Sequence, residues 1–121
     1  MRDLFETYGD DVQFFVVYIR EAHALDSRAP MASASTPLVE DPLHLEERRA
    51  VAQTCMRAIE LDELPSLVDD VDDAVSKAYQ AWPDRLVLIG RDGNVTYQSL
   101  PGPWGFDTDE FEGAIESELG P

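Results

Sequence analysis

Residues 12–23, Val12-Gln13-Phe14-Phe15-Val16-Val17-Tyr18-Ile19-Arg20-Glu21-Ala22-His23, decide how the chain folds. The unbroken run from Phe14 to Ile19 is aromatic and β-branched. It predicts a strand over 12–19 that is buried on both faces, inside a sheet covered by helices. The run stops at Arg20, and a carboxylate (Glu21) and an imidazole (His23) follow at once. In open α/β sheets the groups that bind and react gather beyond the C-terminal strand ends, so Glu21 and His23 are the first candidate catalytic residues. They are two apart, so an extended backbone sends both side chains to one side. There they could share a proton, with His23 as the general acid near neutral pH. The plainer alternative is a polar pair that merely ends a buried strand.

Outward from this strand, the chain alternates helical and strand patterns. Leu4, Phe5 and Tyr8 sit at helical spacing before Gly9, a natural stop. Residues 24–40 lose periodicity and fill with Ala, Ser, Pro and Thr, which predicts a long, flexible surface loop. Asp41 as N-cap and Pro42 at the first helical position then open a helix to about Glu60. Its inner stripe is Val51, Ala52, Cys55, Met56 and Ile59. A short strand is expected over 65–69. Next comes a helix with Val71, Ala74, Val75, Ala78, Tyr79 and Trp82 on one face, closed by Pro83. Residues 86–89 and 95–98 form a hairpin across Arg91-Asp92-Gly93. A Gly102-Pro103-Trp104-Gly105 loop leads to a last helix capped by Asp107, with Glu110 at the reciprocal capping position. Phe111, Ala114, Ile115 and Leu119 are its inner face. This order predicts a single α/β sandwich domain over 1–121 with a mixed sheet.

Composition limits the function. Nine basic against 25 acidic residues among 121 give a net charge of −16, which disfavours nucleic acid and anionic membranes as partners. One cysteine, Cys55, excludes internal disulfides and multi-cysteine metal sites. Mid-helix on an inner stripe, it reads as a small buried hydrophobe rather than a reactive thiol. Asp69, Asp70, Asp72 and Asp73 lack the spacing of a calcium loop and are better explained as solvated capping residues at the positive end of a helix. No metal or cofactor motif is present; Gly102 and Gly105 read as bend residues. The longest apolar run is too short to span a bilayer and the N-terminus has no signal-peptide pattern, so a soluble, cytoplasmic domain is expected. Trp82 continues a helical stripe and is expected in the core. Trp104 has less packing reason for its place and is expected at the ligand-facing edge. His44 is expected to face solvent.

Five blocks together resemble the iodothyronine deiodinase family, especially its bacterial members. They are Tyr18-Ile19-Arg20-Glu21-Ala22-His23 with Asp26 after it, Asp41-Pro42 with Glu46-Glu47-Arg48-Arg49-Ala50-Val51-Ala52, and Leu67-Val68-Asp69-Asp70. Ala81-Trp82-Pro83-Asp84-Arg85-Leu86 and Gly102-Pro103-Trp104-Gly105-Phe106 complete the set, in the same order. The resemblance implies a thioredoxin-like three-layer sandwich. It also implies a redox selenocysteine or cysteine at the end of the first central strand, regenerated by a thiol reductant. Glu21 and His23 match residues assigned to proton transfer and substrate contact. Pro83 matches the position where thioredoxin folds place a substrate-facing cis-proline. The chain departs from the family at Asp26-Ser27-Arg28, where Asp-Gly-Trp is usual, and the register of His44 does not match the functional histidine of animal members.

The nucleophile motif and its strand are not found in these residues. That strand belongs between 12–19 and 86–89, where its absence exposes two edges of unpaired backbone groups. Three resolutions are open: a protein that starts further upstream, a rearranged chain, or a second copy filling the gap as a homodimer. The first is favoured. The leading expectation is therefore a deiodinase-like oxidoreductase acting on a small-molecule substrate with a thiol reductant, its nucleophile segment lying outside this chain. The alternative is a non-catalytic thioredoxin-like binding module.

Overall fold

The computed structural model describes residues 1–22 and 39–121. The element order is α1 (Arg2–Tyr8), β1 (Val16–Tyr18), α2 (Leu45–Ala58), β2 (Ser66–Val68), α3 (Ala74–Tyr79), β3 (Val87–Ile89), β4 (Val95–Gln98) and α4 (Thr108–Leu119). The architecture is mixed α/β. The strands form two separate pairs, with β1 parallel to β2 and β3 antiparallel to β4. The predicted hairpin is present, turning at Gly93 with φ +84°. Of the predicted loop, residues 24–38 lie outside the described residues.

The opening strand differs most from expectation. Only Val16–Tyr18 pair as β1, and Phe15 and Val17 are 56% and 36% exposed. The apolar run is thus not buried on both faces. Val17 stands opposite Leu67, which is 52% exposed, so one face of the β1–β2 pair has no described helix over it. Apolar composition records what a strand can bury, while neighbouring layers decide whether it does.

The main core lies around the hairpin. Leu4 of α1, Phe14, Leu86, Leu88, Phe111 and Ile115 form one buried cluster, flanked by Phe5, Tyr8, Tyr97, Ala114 and Leu119. Phe5 and Phe14 meet edge to face with ring centroids 5.8 Å apart. The two end helices follow the predicted signals. The Gly9 amide donates to the Phe5 carbonyl, and Asp107 Oδ1 accepts from the Asp109 and Glu110 amides at 3.0 Å each. Glu110 does not complete a reciprocal box, because its carboxylate accepts from the Tyr97 hydroxyl instead.

The two middle helices are shorter than their patterns. Asp41 and Pro42 do not open α2: the helix begins at Leu45 after His44, whose backbone is extended and whose side chain is exposed, as expected. Its buried residues are Arg48, Ala52 and Met56, whereas Val51 and Cys55 are half-buried and Ile59 is exposed. In α3 the stripe from Val71 to Trp82 breaks because Asp73 and Gln80 both take left-handed backbone conformations, at φ 60° and 50°. Trp82 therefore falls past the helix end and is 52% exposed, not core.

What replaces those turns is a polar corner. Asp69, buried at the end of β2, accepts the Val75 amide (3.0 Å) and the Ser76 amide (2.8 Å) on its two carboxylate oxygens. Its own amide donates to the Tyr18 carbonyl at 2.8 Å. Arg48, 2% exposed, donates through Nη1 to the carbonyl of Asp70 (2.7 Å) and to Asp73 Oδ1 (2.9 Å). The acidic cluster thus serves α3 and the α2 arginine, as capping predicts, but not as a solvated face: Asp69 is buried, and Asp73 at the N-cap makes no side-chain cap bond. The ends of β1, β2, α2 and α3 are tied together beside Tyr18.

Near the C-terminal helix, the 100–106 loop folds tightly. A Cβ at Gly105 would stand 2.2 Å from the Leu100 carbonyl oxygen and 2.3 Å from its carbon. Backbone cannot swing aside, so Gly105→Ala is expected to destabilise by about 2 kcal/mol in urea denaturation. Gly102→Ala is the contrast. Its Cβ would meet the Asp84 carboxylate, the free end of an exposed side chain, so a smaller loss is expected.

Candidate functional site

β1 delivers Tyr18 as its last residue, and the chain then turns so that Glu21 comes back under it. The Tyr18 hydroxyl donates to Glu21 Oε1. From α2, the Cys55 thiol reaches the same oxygen at 3.7 Å, with its sulfur 3.9 Å from the Tyr18 hydroxyl. All three residues are half-buried. Arg20 alongside pairs with Asp41 at 3.4 Å.

The electrostatics follow from that convergence. Burial raises the Tyr18 hydroxyl far above its ordinary value, and the hydrogen bond to Glu21 and its charge push the same way. Burial also raises the Cys55 thiol. The Tyr18 hydrogen bond opposes that rise, while the charge of Glu21 and its hydrogen bond add to it. At neutral pH both groups are protonated donors aimed at one carboxylate oxygen. Such an oxygen is a held proton acceptor, suited to orienting or relaying a proton. Glu21→Gln removes the neighbouring negative charge, so the Cys55 thiol should ionise at lower pH and react faster with iodoacetamide at pH 8. An unchanged pH profile of alkylation would show that the thiol does not feel Glu21.

The sequence singled out Glu21 but neither of its partners. Tyr18 was hidden in the apolar run. Cys55 was assigned to the core, yet it lies two helical turns after the buried Arg48, on the side of α2 that faces the end of β1. The other sequence candidates are distributed as follows. His23 lies outside the described residues. Pro83 follows a cis peptide bond, as does Pro103. Trp104 is 96% exposed at the protein surface. The Gly102 amide donates to the Asp84 carbonyl at 3.1 Å, so the two proline loops touch. No described hydrogen bond or ion pair joins these loops to Glu21. Among the described residues, no three His, Cys, Asp or Glu side chains are grouped to hold a metal ion. Among them, too, no helix is long and apolar enough to cross a membrane.

A mixed α/β chain with a carboxylate, a phenol and a thiol converging at a strand end has the materials of proton-coupled chemistry. The family model for iodothyronine deiodinase matches residues 1–118, and the chain belongs to that family. It is similar to a type I iodothyronine deiodinase of Xenopus laevis, with 27% identity over 95% of this chain and 43% of the relative. A thyroxine 5-deiodinase of Sparus aurata is 36% identical over 90% of this chain and 39% of its own length. The human thyroxine 5-deiodinase is 29% identical over 90% of this chain and 34% of its own. The chain thus spans about two fifths of the first two relatives. These relatives are vertebrate, whereas the sequence blocks pointed to bacterial members.

Proposed function

We propose that the chain is part of a deiodinase-like, thioredoxin-fold oxidoreductase whose cysteine or selenocysteine is supplied by a segment outside residues 1–121. The observation that carries this reading is the Tyr18–Glu21–Cys55 cluster at the end of β1 in a chain of this family. The separation of β1–β2 from β3–β4 supports it further. A strand lying between β1 and β3 would pair both open edges and join the four strands into one mixed sheet.

In this reaction a thiolate or selenolate takes the halogen from the substrate, and a proton takes the halogen's place on carbon. Two reductant thiols then become one disulfide, releasing the halide and two protons, one of which replaces the proton given to carbon, and restoring the thiolate or selenolate. The electron pair lost by the thiols is the pair gained by the substrate. His23 delivers or shuttles the proton, and Glu21, held by Tyr18, tunes it. Pro83 and Trp104 face the substrate. A halogenated aromatic is the substrate class, and a cytoplasmic setting suits the thiol reductant.

The full-length protein tests this directly. With dithiothreitol and an iodinated phenol, it should release iodide, and His23→Ala should reduce the rate markedly. Upstream coding sequence should contain a strand followed by Cys, or by a TGA codon read as selenocysteine. Absence of both the nucleophile and thiol-dependent turnover would leave a non-catalytic binding module.

A further inference from the structure

The outer edge of β2 is a second surface with backbone groups to offer. Val16 donates to the Pro65 carbonyl and Asp69 donates to the Tyr18 carbonyl, at 2.9 and 2.8 Å. In a parallel ladder that alternation turns Ser66 and Val68 outward, away from β1. Beside this edge runs a groove of about 400 Å³, walled by Arg49, Ala52 and Gln53 of α2 and by Ser66, Leu67 and Val68. Among the described residues, Arg49 is its sole charged lining residue, is exposed, and makes no ion pair. That is unusual surroundings for a cation in a protein with 25 acidic and nine basic residues.

We propose that β2 and this groove take an extended segment of a partner protein as an added strand, with an Asp or Glu side chain of that segment on Arg49. An added strand obtains affinity from main-chain hydrogen bonds and selectivity from alternate side chains. Here every second side chain would drop between β2 and α2, onto Ala52 and the Arg49 guanidinium. Screening beyond about 8 Å at physiological salt leaves the local cation, rather than the distant surface acids, to choose the charge. The edge is only three residues long, so the complex is weak and transient. It is independent of the proposed redox reaction, because the gap invoked there lies on the other side of β1.

The probe is a fluorescein-labelled pentapeptide, acetyl-Thr-Val-Glu-Val-Thr-amide, titrated against the full-length protein by fluorescence polarisation. Saturable binding is expected. Arg49→Glu should weaken it about tenfold, a 1.4 kcal/mol change, and the same variant should prefer the peptide with Lys in place of Glu. Ser66→Pro, which removes an outward N–H without touching the β1 ladder, should weaken it comparably. N-methylation of the peptide backbone should abolish it. Absence of saturable binding, equal affinity of Arg49→Glu for both peptides, or unchanged binding of the N-methylated peptide would overturn the proposal. A protein dimer lost on Ser66→Pro would overturn it too, by giving the edge to a second copy.

Discussion

Glu21→Gln is expected to lower thiol-dependent turnover of the full-length protein about a hundredfold, within the range for losing a positioned proton-transfer group. The amide keeps the shape of the side chain and can still meet Tyr18 and Cys55, but it cannot accept a proton. Tyr18→Phe should cost less, about tenfold, because the Cys55 thiol still donates to the Glu21 oxygen. Its distinctive signature is the pH profile. With Tyr18 gone, the hydrogen bond that holds the Cys55 thiol down is lost, so alkylation of Cys55 should move to higher pH. A Glu21→Gln enzyme with unchanged kcat/KM would remove the carboxylate from the mechanism. A Tyr18→Phe enzyme that is slower with an unmoved pH profile of Cys55 alkylation would make the hydroxyl merely structural.

The second large effect concerns stability. Arg48→Ala is expected to lower unfolding free energy by about 3 kcal/mol, measured in urea. The guanidinium is buried, bonds two carbonyls and pairs with Asp73 at 2.9 Å, and alanine would leave those acceptors without their donor. Asp73 keeps some contact with water, which holds the loss to the low end for a buried pair. Arg48→Met should recover part of it. The methionine restores the volume of the stem, and the arginine carries a cost of its own, since its buried Nε has no hydrogen-bond partner. If Arg48→Ala costs less than about 1 kcal/mol, the corner is not what holds α2 to α3.

The parts of the fold that were legible in the sequence are those with local causes. Gly9 ends α1, Asp107 caps α4 and Asp92-Gly93 turns the hairpin, each through groups within a few residues. The misjudged parts depend on distant partners. Asp41-Pro42 satisfies the local rule for a helix start, yet the helix waits until Leu45. The Val71–Trp82 stripe is regular, but the Asp69 carboxylate seizes the amides of Val75 and Ser76, and the helix begins there instead. Burial of the opening strand was overstated because no described helix covers Phe15 and Val17. The site divides in the same way. Glu21 announces itself as the first carboxylate after an apolar run. Its contact with Cys55 spans 34 positions, and nothing near Cys55 in the chain signals it.

Asp69 spends each of its polar groups on a different element: the amide on β1, the carboxylate on α3 and the carbonyl on the α2 arginine. No one of these elements can peel away without unsatisfying the others. The end of β1 that presents Tyr18 and Glu21 therefore opens, when it opens, as one cooperative block with α2 and α3. Proton-handling geometry here is kept or lost all at once, in the manner of a keystone.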